Sequence, residues 1–178
     1  MATPKWELRI QRIREETGPN KTRTVGNYQV LHDGKQVASL SGMTFETRGP
    51  GDNSHKDNNR CVEAGTYQLF TQDGKHYVTI GYKNATSPRT MPKPGLLLLP
   101  TGKREGILFH PGVGFLSSVG CINPSKPLRG PQDRIDFLYS KQRVIAVIDD
   151  LKKLFGTDFP TKNGKPIRGA VVTIIAAP

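Results

Sequence analysis

Short apolar runs separated by turn residues are the feature that most restricts the fold of this chain. Apolar and polar residues alternate over 6–10, which is the period of a half-buried strand. Two further runs, 28–31 and 37–40, flank Asp33-Gly34, a dipeptide that tolerates the positive φ of a tight hairpin turn. The 19 glycines and 14 prolines favour many turns over a helical bundle. We therefore expect a fold built mainly from strands.

More strands are expected further along the chain. A second Asp-Gly pair, Asp73-Gly74, predicts a hairpin between strands at 66–70 and 77–82. The apolar runs 96–99 and 106–110 predict two buried strands joined by a short turn. Between the two hairpins, a long polar stretch rich in Gly, Asn and Asp is typical of a surface loop, either mobile or functional.

The hydrophobic period changes near the C-terminus. From Pro131 to Phe155 apolar residues recur at three- and four-residue steps, which predicts helix over 131–155, as one helix or as two broken near Ser140. Gly156 stands where a left-handed C-terminal cap is wanted, and 170–175 predicts a final buried strand. The order predicts a mainly β fold with a helix covering one sheet. A length of 178 residues suits a single domain over 1–178.

Charge and hydropathy restrict the class of partner. The formal net charge of +11 implies an anionic partner: nucleic acid, anionic lipid or an anionic wall polymer. Aromatic residues are only 7% of the chain and the basic residues are scattered, which argues against nucleic acid. No run approaches the ~20 apolar residues of a membrane helix, so we expect no membrane span. The first ten residues lack a basic region followed by an apolar core, so we expect no secretory signal.

The segment 106–123 concentrates the candidate chemistry. His110 ends an apolar run, and a glycine-rich loop then leads to Cys121. An imidazole beside a thiol can generate the thiolate, which is the attacking species. Because Gly120 lacks a side chain, its amide and that of Cys121 are candidate oxyanion donors, while Ser118 could orient the histidine or bind substrate. The alternative is that Cys121 is a small buried hydrophobe and His110 bonds only to the backbone.

This arrangement resembles the active-site signature of the L,D-transpeptidases, the YkuD-like catalytic domain. The resemblance lies in His110-x-Gly112 followed by Ser118-x-Gly120-Cys121-Ile122, and Ala64-Gly65-Thr66-Tyr67 is similar to the start of a strand in that superfamily. It implies a β-sandwich or squashed barrel with one or two covering helices. It also implies that Cys121 attacks a peptide of the bacterial cell wall with His110 as its base, without a metal or other cofactor.

The sequence departs from the family pattern at several positions. His110 and Cys121 are eleven residues apart, which is shorter than the family's common loop. Val119 stands where many members have a second histidine, and Asn123 where many have an arginine that holds substrate carboxylates. Lys103, Arg104 and Arg129 could replace that arginine. Transpeptidation and hydrolysis, as an L,D-carboxypeptidase, therefore both stay open.

The resemblance carries further expectations about partners and location. The substrate would be the stem peptides of peptidoglycan, with Gly112, Asn123, Tyr82 and Arg129 as candidate substrate-binding residues. Without a signal, the chain would be cytoplasmic in the producing cell and would reach a periplasm or target-cell envelope by non-classical delivery. Such delivery would suit an antibacterial effector with a secretion machine and an immunity protein, or a phage-related protein.

Two alternatives to the enzyme hypothesis stay open. The chain could be a non-catalytic basic binding module, or a phage structural module, that keeps the fold. Cys61 is expected to be structural, although a disulfide with Cys121 stays open.

Overall fold

Ten strands and one long helix make up the regular structure in the computed structural model, which describes residues 3–177. The strands are β1 Trp6–Thr17, β2 Thr22–His32, β3 Lys35–Thr47, β4 Gly65–Thr71, β5 Tyr77–Val78, β6 Lys93–Pro94, β7 Leu96–Leu99, β8 Leu108–Phe109, β9 Asn123–Ser125 and β10 Pro166–Ile175. The helix α1 spans Phe137–Phe155 and continues into a 3-10 turn, Gly156–Asp158. The expectation of a mainly β fold is confirmed.

Eight of the strands form one sheet that nearly closes into a barrel. Their order is β8-β7-β4-β10-β1-β2-β3-β9, and β5 and β6 form a separate pair. The first and last strands of this order meet, because Phe109 of β8 forms a parallel bridge with Ile122, just before β9. We call this junction, residues 108–110 and 121–123, the seam. Its two sides are eleven or more residues apart in sequence but adjacent in space.

The first predicted hairpin is confirmed. Strands β2 and β3 pair antiparallel, with His32 opposite Lys35 across the turn. Asp33 and Gly34 have φ of 47° and 79°. Two successive residues with positive φ give the backbone twist that matches the twist of the flanking strands.

The second predicted hairpin is wrong. β4 pairs with β10 and β7 rather than with β5, and β5 is a two-residue strand paired with β6. Neither Asp73 nor Gly74 has a positive φ. Thr71 instead donates its amide to Lys165 O at 2.8 Å and its hydroxyl to Lys162 O at 3.1 Å. The C-terminal segment therefore takes the pairing positions along β4, and the local hairpin is reduced to one antiparallel bridge between Asp73 and Val78.

The helix is single but starts later than the sequence suggests. Asp136 caps it by accepting from Tyr139 N at 2.8 Å, and Ser140 lies inside it without a break. Residues 131–135 are not helical, because Ile135 exchanges two backbone hydrogen bonds with Gly114, at 2.7 and 3.0 Å. Gly156 ends the helix as expected, but with φ of 53° and ψ of −121° it does not take the left-handed helical conformation that the sequence predicts.

The core lies between α1 and the inner face of the barrel. Val144, Val147, Ile148 and Leu151 line one face of α1 and are fully buried in the same cluster as Trp6 and other residues of the sheet. Burial of each such side chain contributes about 1.5–3 kcal/mol, so the helix is held by packing. No helix among residues 3–177 is long and apolar enough to cross a membrane, as the sequence led us to expect.

Candidate active site

The seam brings Cys121 and His110 to the same face of one strand pair. Ile122 donates its amide to Leu108 O at 2.8 Å, and His110 donates its amide to Ile122 O at 3.0 Å. Since alternate residues of a strand share a face, Leu108 and His110 point the same way as Cys121 and Asn123. Cys121 thus stands opposite Leu108, and His110 lies two residues further along the same face, opposite Asn123.

His110 is a neutral base held in one orientation. Its side chain is buried, with 3% of the residue exposed, and Nδ1 lies 2.8 Å from the carbonyl oxygen of Pro111. Because a carbonyl only accepts, Nδ1 carries the proton and Nε2 carries the lone pair. Burial, opposed by the bond to Pro111 and reinforced by nearby Lys93, lowers the pKa of His110 to about 4. The imidazole is therefore uncharged at neutral pH.

Cys121 is a protonated thiol in its resting environment. Its sulfur accepts a hydrogen bond from Leu108 N at 3.4 Å and donates to Gly106 O, also at 3.4 Å. Burial raises the pKa of Cys121 to about 11, against the opposing effects of the Leu108 amide and the charge of Arg104. The residue is partly exposed and lines a cavity of about 160 Å³, which we call the Cys121 cavity.

These pKa values decide the charge state of the pair. No hydrogen bond joins the two side chains among the contacts of the described residues. Moving the proton from a thiol with a pKa of about 11 to an imidazole with a pKa of about 4 costs on the order of 10 kcal/mol. Burial therefore favours a neutral thiol and a neutral imidazole at rest, and a nucleophilic role requires that a bound substrate change this environment.

Position 120 requires a glycine because its backbone lies against the side chain of a buried arginine. Its φ is 131°, and a Cβ there would overlap the guanidinium of Arg104. Arg104 is 4% exposed and donates to Arg60 O at 2.6 Å and to Val119 O at 2.8 Å. The amides of Gly120 and Cys121 have no partner among residues 3–177, so they stay available as oxyanion donors.

Three other residues named from the sequence are internal supports of the seam. The Ser118 hydroxyl donates to Cys121 O at 2.8 Å, so it fixes the turn before the cysteine and does not orient the histidine. Asn123 is fully buried and donates to His110 O at 3.1 Å. A Cβ on Gly112 would lie 2.7 Å from that of Asn123. In these positions Gly112 and Asn123 cannot contact a substrate directly, contrary to expectation.

The expected cationic and aromatic substrate contacts do not gather at the thiol. Tyr82 packs against the core, with Lys152 of α1 5.9 Å from its ring. Arg129 is exposed, and its backbone amide donates to the carboxylate of Asp133 at 2.7 Å. Neither residue lines the Cys121 cavity. Lys103 is exposed and does not line it either, while Arg104 does but is committed to backbone carbonyls.

Tyr77 is a site residue that sequence reasoning missed. Its ring lies 4.3 Å from that of His110, centroid to centroid, and Lys93 Nζ lies 4.8 Å from the ring of Tyr77. Burial and the neighbouring Cys121 raise the pKa of Tyr77 to about 12. Tyr77 is therefore a neutral phenol close to both members of the pair. The signal in the sequence was weak, because β5 is only two residues long.

Cys61 and Cys121 are both free thiols, so the disulfide left open by the sequence is not formed. Burial raises the pKa of Cys61 to about 11, and no part of it is exposed. Among residues 3–177, no group of three or more His, Cys, Asp or Glu residues is arranged to hold a metal ion.

Comparisons with known protein families, with characterised proteins and with solved structures find no match to this chain. The fold and the site define a mainly β chain with a free thiol and a neutral imidazole at the closure of its barrel.

Proposed function

We propose that this chain is a cysteine-dependent enzyme acting on the stem peptides of peptidoglycan through an acyl-enzyme on Cys121. The observation that carries the proposal is the seam, where Cys121 lines a cavity and His110 is buried on the same face behind it. The similarity of the surrounding motif to the L,D-transpeptidases supplies the substrate class. The net charge of +11 favours attraction to an anionic wall polymer.

The groups at the seam support each step of an acyl transfer. The thiol proton of Cys121 passes to Nε2 of His110 as the sulfur attacks the carbonyl carbon that follows the diamino acid. The amides of Gly120 and Cys121 hold the oxyanion, with the positive charge of Arg104 behind them. His110 then gives the proton to the leaving amine, so a terminal D-alanine departs and a thioester remains. An amine or water attacks the thioester and releases the thiol.

The neutral resting pair implies that substrate binding and activation are coupled. Proton transfer becomes favourable only as the oxyanion and the imidazolium form together, with backbone amides as donors to the oxyanion and the carbonyl of Pro111 as an acceptor for the imidazolium. The free enzyme should accordingly be a poor nucleophile toward small electrophiles. This differs from cysteine enzymes that keep a thiolate at rest.

The cellular role follows from this substrate and is proposed with it. Stem peptides lie in the periplasm or the envelope of a target cell, so the enzyme would act there after delivery by a secretion machine or a phage. An enzyme that trims or recouples stems would harm the producer, which calls for an immunity protein. Both transpeptidation and hydrolysis use the same thioester and differ only in the acceptor.

The deciding experiment is incubation with purified muropeptides followed by mass spectrometry. We expect loss or exchange of a terminal D-alanine, or a new crosslink, and a trapped adduct on Cys121. Cys121→Ala should abolish product, while the matched control Cys61→Ala, which removes the other free thiol, should retain it. Product formed by the Cys121→Ala variant would refute the mechanism.

A second candidate, a non-catalytic module that keeps the fold, is favoured by one observation. Both members of the pair are uncharged, and no hydrogen bond between them is found in the described part of the chain. The same incubation separates the two: a module would yield neither product nor a Cys121 adduct at any enzyme concentration, whereas the enzyme yields both.

A further inference from the structure

We infer that a second cavity beside the Cys121 cavity is an anion subsite that binds a carboxylate of the peptide substrate. We call it the Lys21–Arg48 cavity; its volume is about 520 Å³. It lies between the β1–β2 turn, the end of β3 and the loop 116–119. Its assignment to a peptide of the cell wall rests on the proposed function, whereas its preference for an anion rests on the residues that line it.

The charge of this cavity is unbalanced. Lys21 and Arg48 line it, both exposed, and no acidic residue does. Within residues 3–177, neither side chain takes part in an ion pair. Two free cations around a concave surface attract an anion, and an arginine binds a carboxylate through two parallel hydrogen bonds.

The Cys121 cavity does not offer the same chemistry. Its lysine, Lys56, lies 3.6 Å from the carboxylate of Glu105. The guanidinium of its arginine, Arg104, is buried and donates to backbone carbonyls. A substrate carboxylate near the thiol therefore finds uncommitted cations only in the Lys21–Arg48 cavity, among the residues that line either cavity.

The two cavities adjoin at one side chain. Val119 lines both and is 56% exposed. It precedes Cys121 by two residues, a separation that an extended chain spans with at most about 7 Å. Ser118, which also lines the Lys21–Arg48 cavity, is bonded to Cys121 O. An extended peptide with its carbonyl at the thiol therefore reaches this cavity within a few residues.

The walls of the cavity are held in place before any ligand binds. The β1–β2 turn is closed by a bond from Gly18 N to Lys21 O at 2.8 Å. Gly18 packs on the ring of Phe115, where a Cβ would lie 2.8 Å from Cε2. Phe115 in turn stacks on the guanidinium of Arg23, 4.4 Å from the ring centroid. Such preorganisation reduces the entropy lost on binding.

The Lys21–Arg48 cavity compensates for a residue that the motif lacks. The position after Cys121-Ile122, where a carboxylate-binding arginine would stand, holds the buried Asn123. Lys21 and Arg48 supply positive charge on the other side of Val119, from different elements of the barrel. The inferred ligand is thus a peptide with a free carboxylate a few residues from the carbonyl that is attacked, and amidation of that carboxylate should weaken binding.

Binding is measured by calorimetry on the Cys121→Ala variant, so that turnover cannot interfere. The probes are a stem tetrapeptide with a free α-carboxylate on its second residue and the same peptide amidated there. We expect Lys21→Ala with Arg48→Ala to weaken binding of the free form about tenfold or more and to abolish the preference over the amide. The control, Lys162→Ala with Lys165→Ala, removes the same charge from an exposed segment at another cavity and should change binding less than about twofold.

The outcomes separate this inference from the proposed function. Equal weakening by the two double variants, or no preference for the free carboxylate, would show a general effect of charge and overturn the subsite. The subsite is likewise overturned when neither probe binds, or when the active chain turns over stem peptides with an unchanged KM in the Lys21/Arg48 variant. Selective loss of binding in that variant, with no turnover by the unmodified chain, would support the subsite and refute the enzyme. Unfolding midpoints confirm that each variant is folded.

Discussion

The contact between Gly120 and Arg104 allows a quantitative test of how the thiol loop is held. In Gly120→Ala, the φ of 131° costs about 1–3 kcal/mol for a residue with a side chain. The new methyl also displaces the guanidinium, whose bonds to Arg60 O and Val119 O are 2.6 and 2.8 Å long. Each such charge-assisted bond is worth about 1.5–3 kcal/mol. The total loss of about 4–9 kcal/mol approaches the stability of a whole domain.

The test is a double-mutant cycle measured by urea unfolding. Arg104→Ala alone should cost about 3–6 kcal/mol, because it removes the same two bonds. The double variant should be about as stable as Gly120→Ala, since the second change removes nothing that the first has left. The expected coupling is therefore about 3 kcal/mol or more. Additive effects, within about 0.5 kcal/mol, would refute the reasoning, because they would mean that the methyl is accommodated without moving Arg104.

The other predictions concern the titrating pair and a buried ion pair. A histidine in the unfolded chain binds a proton below about pH 6.5, whereas buried His110 binds one only below about pH 4. Because the unfolded state then binds more protons, the free energy of unfolding should fall by about 3 kcal/mol as the pH drops between these values. His110→Phe should flatten that part of the urea-unfolding profile, and an unchanged slope would contradict it. Alkylation of Cys121 by iodoacetamide, followed by mass spectrometry, should rise about tenfold per pH unit from pH 7 to 10, because the thiol pKa is about 11; a plateau near pH 7 would mean a resting thiolate. Arg23→Met should destabilise the chain by about 3–5 kcal/mol in thermal unfolding, because buried Glu16 keeps only Arg14 as an ionic partner and three backbone carbonyls lose their donor. A loss below about 1 kcal/mol would count against this network.

Local signals in the sequence succeed where nothing distant competes with them. Asp33-Gly34 forms its turn because both residues accept a positive φ and the flanking strands have no other partner on that side. Asp73-Gly74 carries the same signal but gives only a single bridge, from Asp73 to Val78, because the strand before it is paired with the segment that precedes β10. Propensity therefore decides a turn only when tertiary pairing agrees with it.

The candidate site divides in a similar way. His110 and Cys121 could be named from the sequence, since the loop between them is short and the motif around them is local. The position of Tyr77 could not, because a two-residue strand brings it from a distant part of the chain. The sequence suggests Arg104 as a replacement for the missing carboxylate-binding arginine, and only its contacts with Arg60 and Val119 reveal that it anchors the loop.

Closure of the barrel has a consequence for how the reactive segment is assembled. Strands β8 and β9 stand at opposite ends of the sheet order, with every other strand of the sheet between them. Phe109 and Ile122, in contrast, are only thirteen residues apart along the chain, so their contact closes a short loop and does not require the other pairings of the sheet. We expect the thiol and the imidazole to be brought together early in folding, before the terminal strands β1 and β10 pair.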